Sequence, residues 1–429
     1  MTQNAAVGGG NISSFKIFSN TNDGSVDLTG AVAEFTYYES VLSNVISATV
    51  TVYESGAGTD GPQESTLDSL PIRGGETCII SATDPSGNEL NIPQLYVNRV
   101  RDGDPNTRTE LYYLDLSPKE YFANEQIRVM KRYEGQISDS VEEVIRLVQG
   151  QVEEVESTGL EYNFLGNDRK PFYICTWLAS KAVPTQGVGD RAGFLFYQTK
   201  DGFNFRSIDG LLSGSPIKKF IYNDTANYAA GIEGKILNYK IESDVDLKQN
   251  LSLGAYNNRS IFWDFAAMDY RVVNYSIDDQ LSNLETAGVD FQGDMVAKEF
   301  TQSPTRLMSV ILDVGNNPTG TGDEQLDNWK SEPVEPNFKA FDTMVQTVMR
   351  YNQLFTIKTN VIIPGDFELK AGELIECEFA SVDGEKKDTV NTQTGGIYMI
   401  AHVAHKVTPS DTFTSLGLVR DSFGKKTGF

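Results

Sequence analysis

Leu70-Pro-Ile-Arg-Gly-Gly-Glu76 and Phe367-Glu-Leu-Lys-Ala-Gly-Glu373 are one pattern written twice: apolar, any residue, apolar, basic, small, Gly, Glu. A strand is expected after each, beginning near Cys78 and near Ile375. Further on, Leu95-Tyr96-Val97 matches Ile397-Tyr398-Met399. The closing strand then arrives at equal distance: Tyr96 to Leu114 and Tyr398 to Leu416 are both 18 residues, with Leu116 and Leu418 two residues later. The interval between the two halves of the pattern differs by five residues (Gly75 to Tyr96 is 21, Gly372 to Tyr398 is 26), which a longer hairpin around Asp383–Thr394 would absorb. A basic residue before Gly-Glu is a common way to turn into a strand, so either string alone carries little. Shared order, spacing and flanks together favour a duplication. Two related modules in one chain have a geometric consequence, because a trimer then presents six of them.

Strand periodicity continues on either side of that pair. From Ile46 to Val52 the even positions are apolar and the odd ones polar, the period of a strand with one buried face. Phe15–Phe18, Val32–Tyr38, Cys78–Ala82, Leu95–Val100 and Glu110–Leu116 read as further short strands, separated by turns such as Asp84-Pro85-Ser86-Gly87. After Pro118 the period changes. Val141, Val144, Ile145 and Val148 form one helical stripe, with Ser138 or Ser140 as N-cap and Ser140 to Glu143 at capping-box spacing. Lys170-Pro171 opens a second helix carrying Phe172, Trp177, Leu178 and Ala182, and a hairpin joins Gly193–Thr199 to Phe203–Ile208.

Strand character returns at Ile236–Glu242, Ile261–Phe265 and Arg271–Ile277, then gives way to a loop-rich stretch, Gly315–Pro336. A helix over Phe338–Leu354 places Phe341, Val345, Val348 and Met349 on one side, and strands near Phe355–Ile363, Leu374–Ala380, Gly396–Val407 and Thr412–Leu418 close the chain. The expected fold is a β-rich α+β multidomain chain, two related small β-barrel domains with an α/β insertion domain between them. The boundaries are 1–118 for the first barrel, 119–216 for the insertion and 217–337 for a β-rich segment contributing to the second barrel and an accessory domain. The last, 338–429, holds a helix plus the second barrel.

Composition narrows the function. Among 429 residues, 59 are Asp or Glu and 36 are Lys or Arg, a formal charge of −23. The basic residues occur as isolated pairs (Lys131-Arg132, Lys218-Lys219, Lys386-Lys387, Lys425-Lys426), not as the clusters that neutralise phosphates, so no specific nucleic-acid binding is expected. No apolar run has the length of a bilayer span, about 20 residues. The start, with Gly8-Gly9-Gly10 and a first basic residue at Lys16, does not read as a signal peptide. Cys78, Cys175 and Cys377 are too few and too far apart for a disulfide framework or a zinc site, which suits a soluble protein in a reducing compartment.

Order and residues together resemble the central baseplate hub proteins of contractile-tailed bacteriophages, the T-even hub-like family. The resemblance is carried by Leu70–Glu76 and Phe367–Glu373, the helix Ser138–Gln149 and Lys170-Pro171-Phe172 through Trp177-Leu178-Ala179. Gly193-Phe-Leu-Phe-Tyr197 with Lys200-Asp-Gly-Phe203 to Asp209, and the closing Gly396–Arg420, complete it. It runs over roughly residues 12–420, and order is its stronger signal. It implies tube-type barrels, a homotrimer, and a pseudo-sixfold ring that carries the hexameric tail tube or tube-initiator proteins on one face and a separate trimeric spike protein on the other. Baseplate wedge proteins would surround it, in a virion assembled in the host cytoplasm. The Gly8–Gly10 start, the Gly315–Pro336 loop and the basic end (Arg420, Lys425, Lys426) are departures that the resemblance does not cover. A trimer would hold three times the −23 charge around a genome passage, where like-charge repulsion keeps DNA off the wall.

Several residues carry chemical potential, and for each a plainer role fits its pattern better. His402 and His405 lie three apart in an expected strand and so point to opposite faces, which argues against a shared metal. Asp102-Gly-Asp104-Pro-Asn106 alternates oxygen ligands like a calcium loop, but Thr107 and Tyr113 occupy its glycine and glutamate positions. Gly187-Val-Gly189-Asp-Arg-Ala-Gly193 has the wrong spacing for a dinucleotide loop. Glu142-Glu143 and Asp278-Asp279 are the kind of pair an acidic chain contains by composition, and Tyr37-Tyr38 and Tyr112-Tyr113 read as core or interface before stacking platforms. No catalytic, cofactor-binding or metal site is expected. The alternatives are a glycan-binding or adhesive baseplate protein and a tail-tip peptidoglycan hydrolase.

Overall fold

A computed structural model of the chain describes residues 11–21, 24–54, 70, 72–102, 109–159, 161–185, 192–222, 234–241, 247–264, 268–276, 284–291, 296–311, 323, 340–379, 391 and 393–425. Seven strands come first: β1 (Asn11–Phe18), β2 (Ser25–Asp27), β3 (Val32–Ser40), β4 (Ser47–Glu54), β5 (Thr77–Thr83), β6 (Leu95–Asp102) and β7 (Glu110–Pro118). A mixed region follows, with α1 (Lys119–Gln126), β8 (Arg132–Tyr133), α2 (Ile137–Leu147), β9 (Val152–Val155), β10 (Phe164–Leu165), α3 (Pro171–Ala179), β11 (Phe194–Thr199), β12 (Gly202–Ser207) and α4 (Ile208–Leu212). The next stretch holds β13 (Lys218–Ile221), β14 (Asn238–Ile241), α5 (Leu247–Leu253), β15 (Asn257–Asp264), β16 (Asp269–Ser276), β17 (Asp290–Phe291), α6 (Lys298–Thr301) and β18 (Arg306–Ile311). Last come α7 (Ala340–Leu354), β19 (Ile357–Pro364), β20 (Leu374–Glu378), β21 (Gly396–Val407), β22 (Thr412–Arg420) and β23 (Ser422–Phe423).

Two units carry the same strand order. The first runs β3-β4-β7-β6-β5-β1, with β2 added outside β1 and every neighbour antiparallel. The second runs β14-β19-β22-β21-β20-β13, antiparallel except that β13 lies parallel to β20. A ladder between β21 and β3 fuses both into one 13-stranded sheet. Among the described residues no ladder joins the first and last strands of either unit, so strand pairing leaves both sheets open. Each nevertheless curls over its own core. Phe15 and Ile17 from β1, Phe35 and Tyr37 from β3, and Leu114 and Leu116 from β7 share one cluster. Ile357, Val361, Tyr398, Ile400, Leu416 and Leu418 do the same in the second unit.

Between the units, α2 and α3 pack on a three-stranded sheet of order β11-β12-β9. The expected stripe Val141, Val144, Ile145 and Val148 is fully buried there, with Phe172 and Leu178. The cap differs from expectation. The helix starts at Ile137 after Gln136, and Ser138 lies inside its first turn, where its N–H donates to Thr158 Oγ1 over 3.0 Å. A hydroxyl from outside the helix thus satisfies one of the free N–H groups of the first turn, and neither Ser138 nor Ser140 acts as the N-cap. A further sheet, β16-β15-β18, adds Phe262 to the same core.

The last helix also departs from expectation. Its side chains at Phe341 and Val345 lie outside the described residues and Val348 is half-buried; Met349 is buried as expected, together with Thr343, Gln346, Thr347, Arg350, Gln353 and Leu354. The buried polar residues find partners there: Gln346 accepts from Ala192 N and donates to Tyr275 Oη, Gln353 donates to Ala255 O, and Arg350 meets two carboxylates.

Candidate functional site

The two matched units meet at a seam that the repeated strings themselves help to build. In the first unit Arg73 N and Gly74 N donate to the Glu76 carboxylate over 2.8 Å each, and in the second Lys370 N donates to Glu373 Oε2 over 2.9 Å. Gly75 N then donates to Val97 O (2.7 Å) and Gly372 N to Ile400 O (2.8 Å), while Val97 N and Ile400 N return bonds to Glu76 O and Glu373 O over 2.9 Å. Both glycines adopt positive φ, +86° and +91°, which explains why this position is glycine in each string. The recurring Glu folds back to satisfy its own turn, and the strand starts from there.

These bonds fix the true equivalence. Val97 corresponds to Ile400, and each precedes a bulge, between Val97 and Arg99 in β6 and between Ile400 and His402 in β21. Leu114 and Leu116 correspond to Leu416 and Leu418 as expected, since Val50 pairs with Leu114 and Val361 with Leu416. Tyr96, however, corresponds to Met399 and not to Tyr398: Thr77 pairs with Tyr96, and Leu374 with Met399. The second hairpin is one residue shorter, and the shared tyrosine had masked that difference.

The seam has three contributors. Glu39, from β3, is fully buried and accepts from Tyr37 Oη (2.9 Å), from Lys200 N at the tip of the β11–β12 hairpin (2.7 Å) and from Ala371 N in the second unit's turn (2.9 Å). Burial pushes its carboxyl up to about 7 despite these donors. Lys200 Nζ also donates to Phe367 O, and Lys370 Nζ reaches Glu153 Oε1 (2.6 Å) and Asp201 Oδ2 (2.9 Å). First unit, insertion and second unit are therefore locked at one point. Beneath it, buried His405 places Nδ1 2.9 Å from Thr414 Oγ1, its ring parallel to Tyr37, and burial holds the imidazole down to about 3.

A second buried node ties α7 to the chain on either side. Arg350 Nη1 lies 2.7 Å from Asp421 Oδ2 and Nη2 lies 2.9 Å from Asp209 Oδ1, all three residues being buried. The same carboxylates also accept from Ala287 N and Glu285 N over 2.9 Å. Sequence reasoning missed Arg350 and Glu39. Strand parity held the signal for Glu39, which continues the inward series Phe35, Tyr37; nothing local marked Arg350.

The residues singled out from sequence fall as follows. His402 is exposed and His405 buried, on opposite faces of β21. Tyr37 and Tyr112 are core residues, whereas Tyr38 is exposed and Tyr113 lies under Arg101, whose guanidinium is 5.2 Å from the ring. Glu142 pairs with Arg146 and Glu143 with Lys131. Beyond Asp102 the Asp102–Asn106 string lies outside the described residues, as do residues 187–191, Asp278-Asp279 and, Asp323 apart, the Gly315–Pro336 loop. Among the described residues no group of three or more His, Cys, Asp or Glu side chains is placed to hold a metal, and no helix is long and apolar enough to cross a membrane. The three cysteines are buried free thiols.

Solved structures share this architecture over nearly the whole chain. The tail protein from Neisseria meningitidis MC58 superposes with a TM-score of 0.50, covering 96% of this chain and 97% of its own at 11% identity. The 43 kDa tail protein of prophage MuSo2 from Shewanella oneidensis gives 0.52, covering 96% and 98% at 9% identity. At such identities the likeness is one of fold. No protein-family profile and no curated protein matches the sequence.

Proposed function

We propose that this chain is a structural component of a phage tail, a homotrimeric baseplate hub without enzymatic activity. Six pseudo-equivalent barrel-like modules, two per chain, would adapt a trimeric central spike to a hexameric tail tube and surround the passage through which the genome leaves. The observation that carries this reading is the repeated strand order, β1-β3-β4-β5-β6-β7 in sequence matching β13-β14-β19-β20-β21-β22, held at one fixed angle by the Glu39 seam. An adaptor between threefold and sixfold objects needs two like surfaces at a rigid relative orientation, and a seam with a buried carboxyl group bonded from all three parts of the chain supports rigidity. The fold shared with two tail proteins supports the same reading.

With it goes the division of the chain into tube-type modules at 1–118 and 338–429, an insertion at 119–216 and a segment at 217–337 that lends β13 and β14 to the second module. Partners would be the tail tube or its initiators, the spike and the wedge proteins, in the virion. The acidic excess would keep DNA from adhering to the channel wall. Sedimentation velocity and negative-stain imaging of the purified chain test the reading: a threefold ring with six lobes is expected, and a monomer at the highest attainable concentration overturns it.

A further inference from the structure

Among the described residues one ladder, β21 with β3, joins the two units by strand pairing. A ladder sets such an angle only loosely, since neighbouring strands are rotated against one another by anything from about 10° to about 35°. Ring closure is less forgiving. An angular error at the seam recurs in every subunit, and a repeat whose rotation does not close grows into an open helix.

The β11–β12 hairpin is placed to tighten that angle. Thr199 faces Gly202, so its turn consists of Lys200 and Asp201 alone. Both strands are buried nearly throughout, and Glu153 Oε2 accepts from Thr199 Oγ1 on one and from Asn204 Nδ2 on the other (2.7 Å), which stiffens the stem. At the tip Lys200 bonds both units at once. Its N–H donates to Glu39 of the first unit, while its Nζ donates to Phe367 O and, over 3.4 Å, to Glu368 O of the second. Asp201 Oδ2 takes Lys370 of the second unit at 2.9 Å, and Glu153 Oε1 takes the same ammonium at 2.6 Å. One stiff hairpin thus holds a point on each side of the ladder.

We infer that Lys200 and Asp201 are positioning residues for the assembly: the hairpin tip pins the two units at the angle a closed ring needs. Without the pin the chain still folds, but the angle between its units spreads and rings fail to close. This rests on the trimeric hub reading above and names the residues that give it its geometry.

Spin labels test it in the full-length chain. Ser81→Cys on β5 and Asn238→Cys on β14 are exposed positions in the first and second unit, and the native thiols are buried. Diluting labelled with unlabelled chain reads the distance distribution within one subunit. Lys200→Ala with Asp201→Ala removes the tip's side-chain anchors and leaves the direct bonds from Ala371 N to Glu39 and from Phe367 N to Asp84 in place. With the circular dichroism of the parent, this variant should give a distribution about twice as wide, the unpinned ladder sampling more of the twist open to paired strands. Lys200→Arg, which keeps its donors, should stay narrow. Asp201→Ala alone, at an exposed position, should widen the distribution in the same direction and serves if the double variant misfolds. Negative-stain images of the double variant should show open or mixed-size oligomers where the parent closes. An unchanged distribution overturns the pin, because the direct contacts then hold the angle alone, and a wider one with rings still closed overturns its link to closure. A monomeric parent overturns the hub reading, while the distances still decide the pin.

Discussion

The backbone N–H of Phe367 donates to Asp84 Oδ2 over 3.2 Å, across 283 residues of sequence, and the Phe367 ring is buried in the core of the first unit. Its counterpart in the repeated string, Leu70, packs into that same core. One turn therefore keeps its apolar residue at home and the other lends it across the seam, while Leu369 fills the second unit's own core. Asp84 is prepared for this by its own loop: Ser86 N and Asn88 N donate to Oδ1 over 2.9 and 2.8 Å.

Truncating Phe367 should accordingly damage the unit to which it does not belong by sequence. Phe367→Ala is expected to cost about 3–5 kcal/mol. Hydrogen exchange should show faster amides in Val32–Glu54, whereas Leu369→Ala should speed exchange in Ile357–Pro364. The same exchange pattern for both variants would contradict the cross-seam role.

Arg350→Ala would leave Asp209 and Asp421 as buried carboxylates without their shared cation. Removing one member of a buried ionic group typically costs about 3–5 kcal/mol. Chemical denaturation is the measurement, and a loss below about 1 kcal/mol would mean that water reaches the node.

Glu39 makes stability depend on pH. Its value of about 7 in the fold lies above the ordinary 4.5, so the folded chain holds a proton that the unfolded chain releases. The stabilisation is complete below pH 4.5 and is lost as pH rises through 7, about 3 kcal/mol in all. His405 works in the opposite sense, its contribution being lost as pH falls from 6.5 toward 3. Glu39→Gln removes only the first effect. Its stability relative to the parent should climb by about 3 kcal/mol between pH 4.5 and 8; a difference that stays flat across that range would refute the buried, protonated carboxyl.

Gly75 and Gly372 share a conformation but not a neighbourhood. A Cβ on Gly75 would approach Asn20 Nδ2 at 3.3 Å, whereas one on Gly372 would stand 2.2 Å from Tyr197 Oη. Gly75→Ala should cost about 1 kcal/mol for its backbone alone, and Gly372→Ala clearly more. Pairing the latter with Tyr197→Phe should return part of the loss in thermal melts, and no recovery would place the cost elsewhere.

Strand positions, the Val141–Val148 stripe and the Leu70/Phe367 repeat were legible in sequence because each is a local alternation or spacing, written within a few residues of itself. Parity also carried a signal for Glu39, two residues past Tyr37, but its charge concealed it. Tertiary structure alone decided the one-residue offset that makes Tyr96 the partner of Met399 in equivalence, since hydrogen bonds between strands set register and spacing along one strand does not. It alone decided that Phe367 crosses the seam and that α7 buries Arg350. A guanidinium is excluded from a core unless carboxylates meet it there, and those carboxylates stand 141 and 71 residues away along the chain.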